Sequence, residues 1–201
     1  MSRVPAVFFV LFAACGSGNS GPLFGGFTPA SGAAVILAPA TCSNIASLGP
    51  TAVSGILIEL ANGADACNVL TQARQCGGGS GSTALLSAVL SGVVGGSSVP
   101  PAGPGTYPWM PNPPTGAFKA STTTAAQLDA MCLAASASRA NMSGGSVAIA
   151  SVTASTVSGT MDVHFDNGQV YTRSFDIPVC PVSIDICSLF DFCGSRTCVP
   201  P

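Results

Sequence analysis

The chain has 201 residues, of which 7% are charged and 47% hydrophobic, with a net charge of −2; an ordinary soluble domain carries roughly 25% charged residues. Six basic side chains against eight acidic ones leave no electrostatic footprint for nucleic acid. High apolar content with little net charge is the reverse of a disordered chain, and the length is enough to bury a core.

In chain order, Met1-Ser-Arg3 is a short basic start, Val4 to Phe12 is apolar, and Ala13-Ala14 precede Cys15. Such a stretch is too short for a hydrocarbon core, which needs about 20 residues, and reads as a cleavable export signal over residues 1–14. Phe12-Ala-Ala-Cys15 resembles the lipobox of bacterial lipoproteins, with Phe12 where that family usually has Leu. The resemblance implies that the Cys15 thiol carries a diacylglycerol and that the mature chain starts there. Lipid chains such as palmitate, at about 0.8 kcal/mol per buried methylene, would hold the protein on a membrane without a spanning helix. Residues 15–30 open with Gly16-Ser-Gly-Asn-Ser-Gly21, the composition of a flexible tether. The expected address is the bacterial cell envelope, at the outer membrane, with secretion as the alternative.

A β-rich domain is expected over residues 31–179. Its first strand candidates are Ala33–Leu37, Val53–Leu60 and Leu85–Val94, the last with a spacing nearer a helix's period. Asp65 to Arg74 reads as a short helix with Asp65 at its N-terminus, where a carboxylate suits the dipole. Gly95 to Pro114 reads as a long Gly/Pro/Ser loop, and Ala125 to Ala135 as a second short helix.

Residues 146–178 carry the clearest pattern. Ser146–Val152 alternates; Val157, Met161, Val163 and Phe165 then point one way, while Ser158, Thr160, Asp162 and His164 point the other. Asp166-Asn-Gly168 supplies a tight hairpin turn. The chain returns through Gln169–Ile177, where Tyr171, Phe175 and Ile177 share a face, and Arg173 falls on that same apolar face. The whole predicts an all-β fold, an antiparallel β-sandwich or barrel with short helical insertions and a disulfide-stapled C-terminal tail over residues 180–201.

Setting Cys15 aside, eight cysteines remain: Cys42, Cys67, Cys76, Cys132, Cys180, Cys187, Cys193 and Cys198. An even number in an exported chain implies disulfides, with the pairing open. No Cys-x-x-Cys pair occurs and His164 is the one histidine, so no metal and no other cofactor is expected.

Gly144-Gly-Ser-Val-Ala-Ile149, Val157-Ser-Gly-Thr-Met-Asp-Val-His-Phe165 and Arg173-Ser-Phe-Asp-Ile-Pro-Val-Cys180 together resemble the C-terminal pattern of predicted lipoproteins in myxobacteria and their relatives. Gly105-Thr-Tyr107, Cys67 near Asp65, and Cys132 are similar to that pattern too; Arg173 stands where it more often has Gly. The resemblance covers about half the chain. It implies an exported β-rich domain and brings no catalytic residue.

The search for chemistry is negative: Gly-x-Ser-x-Gly and Walker motifs are absent, no Gly-x-Gly-x-x-Gly stands between a candidate strand and a candidate helix, and no carboxylates form a recognisable pair. The function expected is therefore a non-enzymatic, lipid-anchored envelope protein, its one expected partner the membrane. Two alternatives stand beside it. One is a carbohydrate-binding or adhesion module in which Tyr107 and Trp109 meet an extracellular glycan or protein; the other is a hydrolase built on His164 and Asp162.

Overall fold

The structure, a computed structural model, describes residues 27–42, 51–74, 84–95, 101–110, 118–128 and 134–184. In chain order the elements are β1 (Ser31–Cys42), β2 (Thr51–Ala61), α1 (Ala66–Arg74), β3 (Ala84–Gly95), β4 (Gly105–Pro108), β5 (Phe118–Leu128), β6 (Ala134–Val152), β7 (Thr156–Phe165) and β8 (Val170–Pro178). The pairing between neighbouring strands is antiparallel throughout and runs β1-β2-β3-β5-β6-β7-β8, with β4 beside β6. The fold is all-β and sandwich-like, as the alternation predicts.

Two sheets share β6. Its first part pairs with β5, from Leu128↔Ala134 to Thr124↔Asn141; its second pairs with β7, from Met142↔Phe165 to Val152↔Val157. The switch needs a local kink, and the sequence supplies it. Gly145 has φ +89°, and a Cβ there would lie 2.0 Å from the Asp162 carbonyl oxygen, so only glycine fits. Asp166, expected only to serve the hairpin turn, also braces this switch: its Oδ1 accepts from the Asn141 backbone N at 3.1 Å, and its own N donates to the Asn141 carbonyl at 2.9 Å.

The main core lies between the sheets. Ile56, Ile58 and Leu60 of β2 and Leu86, Ala88 and Leu90 of β3 meet Met161, Val163 and Phe165 of β7 and Phe175 and Ile177 of β8. The inward set expected for β7 is the buried set observed, and Asp162 and His164 are exposed as expected. Burying each such large side chain contributes roughly 1.5–3 kcal/mol.

A second apolar cluster covers the outer face of β1–β3. Ala33, Val35 and Leu37 of β1, Val53 and Leu57 of β2 and Leu85 and Val89 of β3 pack under Ala66 and Leu70 of α1 and under Cys180. Beyond β8, Val179 bridges Ala34 in parallel, and the Cys180 amide donates to the Ala34 carbonyl at 2.8 Å. Cys180 is then disulfide-bonded to Cys67 of α1, across 113 residues, with a Cα–Cα distance of 5.7 Å that suits the bond. The disulfide ties the first residue of the expected C-terminal tail to the β-domain, and the tail from residue 185 onward lies outside the described residues. Cys180 is 3% exposed and belongs to the core of the β-domain.

The helix at Asp65–Arg74 is present as α1, capped by Asp65, whose Oδ1 accepts from the Asn68 amide at 2.9 Å. The helix expected over 125–135 is overturned. Residues up to Leu128 belong to β5, which pairs with β3 from Ala84↔Gln127 to Gly92↔Phe118, and a strand resumes at Ala134. Ala-rich sequence is permissive, while β3 needs partners for its second edge of backbone N–H and C=O groups, and Thr122–Thr124 is β-branched. β3 itself is a strand despite its helix-like spacing, because burial on both faces removes the need for alternation. Within the expected loop at 95–114, Gly105–Pro108 is a short strand on β6. Residues 1–26, and with them the signal and Cys15, lie outside the described residues, as do Cys76, Cys132, Cys187, Cys193 and Cys198.

Candidate functional site

Among the described residues three places could carry function, and the physical surroundings of each decide what it can do. At Tyr107 and Trp109, the pairing of β4 with β6 sets Tyr107 opposite Val147, facing inward. Tyr107 is 3% exposed, inside the main core, and its hydroxyl donates to the Gly103 carbonyl at 2.7 Å and accepts from the Gly103 amide at 3.1 Å. Trp109 packs against the same core, with its backbone N donating to the Gly145 carbonyl at 3.0 Å. The expected exposed platform is therefore corrected for Tyr107, whose ring has no free face for a sugar. A Pro-framed aromatic in a strap is satisfied by burial, with its phenol tied to its own loop.

At His164 and Asp162, alternation along β7 places both side chains on the wet face, about half exposed, with Nε2–Oδ1 at 3.6 Å. Asp162 Oδ1 also accepts from Thr172 Oγ1 at 2.9 Å. The Ser143 hydroxyl, across the β6–β7 pairing, donates instead to the backbone carbonyl of His164 at 3.2 Å. The chain thus brings Ser, His and Asp together on an exposed sheet face, without the hydroxyl-to-imidazole bond on which nucleophile activation depends.

The third place is a cleft of about 340 Å³ beside β8. β8 pairs with β7 along one edge; beside its start, the chain entering the domain lays the Phe27 ring against Tyr171, centroids 5.9 Å apart and planes tilted by 54°. Leu86 and Phe165 supply further apolar wall, and Gln169, Tyr171 and Arg173 supply polar groups. Gln169 is held by the hairpin turn: its backbone N donates to Asn167 Oδ1 at 3.0 Å, and its Oε1 accepts from Asn167 Nδ2 at 3.1 Å. The Tyr171 hydroxyl is buried and has no hydrogen-bond partner among the described residues. Burial pushes its phenol pKa up, opposed by the nearby Arg173 guanidinium. Arg173 sits opposite Met161 in register, on the inward face, yet its side chain is exposed at the cleft. The sequence signals this residue as a cation among apolar neighbours. Phe27 carries no such signal, because only the fold brings it to Tyr171.

One buried carboxyl lies apart from all three. Glu59 is 6% exposed on the outer face of β2, and Ser87 Oγ donates to its Oε2 at 2.5 Å. Burial raises its pKa from 4.5 to about 7, with the Ser87 bond opposing. Among the described residues no three His, Cys, Asp or Glu side chains gather as a metal site would require, and no helix is long and apolar enough to cross a membrane. Comparison with protein-family models, with curated proteins and with solved structures finds no match.

Proposed function

We propose that the protein is an exported, lipid-anchored domain of the bacterial cell envelope, held at the outer membrane through Cys15 and acting without catalysis. The observation that carries the reading is the joint use of cysteine. Ala13-Ala14-Cys15 follows an apolar run, and Cys67 and Cys180, far apart in sequence, are bonded across the β-domain. Cys42 is disulfide-bonded as well. Structural disulfides belong to oxidising compartments, which the export signal would supply. The scarcity of acid–base side chains and the commitment of Ser143 to a backbone carbonyl favour a binding or structural role over hydrolysis.

Replacing Cys15 with Ser and fractionating the cells tests the anchor. The proposal predicts that the variant moves from the membrane to the soluble fraction; unchanged membrane retention contradicts it.

A further inference from the structure

We infer that the cleft beside β8 binds a small organic anion, a carboxylate on an apolar body, with Arg173 and Tyr171 holding the head group. The inference stands on the geometry of the cleft and does not depend on the anchor. Strand alternation gives β8 a wet face, occupied by Thr172, Ser174 and Asp176, where a solubilising cation would normally be found. Arg173 instead follows Tyr171 and precedes Phe175 on the inward face, and no carboxylate pairs with it among the described residues. Asp162, the acid nearest in register, is on the opposite face and takes the Thr172 hydroxyl.

The Tyr171 hydroxyl is a second donor without a partner among the described residues, buried beside the same cleft. A guanidinium fork and one phenol are donors suited to a single carboxylate; a phosphate dianion calls for more positive charge than one Arg supplies. Phe27, Leu86, Phe165 and Val170 supply the apolar part of the lining beside the polar Gln169 and Thr172, which suits a short apolar tail behind the carboxylate. A volume of about 340 Å³ lies at the small end of ligand sites, which start near 300 Å³.

The test is a calorimetric titration of the full chain with octanoate and with octanol, which shares the tail and lacks the charge. Octanoate should bind saturably and octanol at least about tenfold more weakly, the usual effect of losing a charge-assisted pair. Arg173→Gln should weaken octanoate about tenfold and leave octanol unchanged; the position is exposed, so the variant folds. Tyr171→Phe, which keeps the ring contact with Phe27, should weaken octanoate by about threefold. Equal binding of the two probes, no binding of octanoate, or an Arg173→Gln variant that binds octanoate as the parent does would each overturn the inference.

Discussion

β2 and β7 are nearly the same length and both central, yet their surroundings are opposite. β2 is covered on one face by the opposing sheet and on the other by α1 and the segment after β8, so every residue from Ala52 to Ala61 is buried. β7 has one face in the core and one in water, and its burial alternates residue by residue. The difference shows where polar chemistry can be kept without cost. Asp162 and His164 lie on the wet face, each about half exposed, whereas Glu59, in the doubly covered strand, loses its solvation and retains one hydroxyl as partner.

The largest expected effect concerns what holds the outer layer on β1–β3. Replacing Cys67 and Cys180 together by Ala should lower unfolding free energy by about 4 kcal/mol, given the 113 residues that the bridge closes, as read by denaturant titration of the oxidised protein. A loss within 1 kcal/mol would mean that the outer layer holds without the bridge.

Next come the two faces of β7. Met161→Ala removes a fully buried side chain and should cost about 3 kcal/mol, while His164→Ala, three residues on, should stay within about 0.5 kcal/mol. Equal effects in thermal or chemical unfolding would contradict the alternation.

Glu59 gives the comparison a pH signature. Its folded pKa of about 7 lies above its ordinary value of 4.5, so between them the folded state holds a proton that the unfolded state has released. The stability from this group is whole below about pH 4.5 and is lost as pH rises through about 7. The loss amounts to about 3 kcal/mol. Glu59→Gln keeps an acceptor for Ser87 and should remove this slope, seen as the difference between parent and variant in unfolding curves from acid to neutral pH. Identical slopes would show that the carboxyl is solvated. The smallest effect concerns the helix that covers this face. Asp65→Ala deletes its cap and should cost about 1 kcal/mol, and no change in stability would show that α1 does not rely on Asp65.

The same contrast explains what was legible in the sequence. The meander from β6 to β8 could be read almost residue by residue because a wet face imposes a period of two. β3 could not be assigned to a type, since burial on both faces erases that period. The Ala-rich end of β5 favours neither structure strongly and its sequence reads as a helix; only the open edge of β3 decides for a strand. Arg173 was visible as a misfit on an apolar face, but its cleft was not, because Phe27 and Tyr171 are 144 residues apart and meet only through closure of the fold. The burial of Tyr107 depends in the same way on the pairing of β4 with β6.

The most direct test of the account is mass spectrometry of the unreduced protein recovered from cell membranes. The account predicts an N-terminal peptide that begins at Cys15 and carries a diacylglycerol, together with a peptide pair joined through Cys67 and Cys180. An unlipidated chain beginning at Met1, with Cys67 and Cys180 as free thiols, would contradict it.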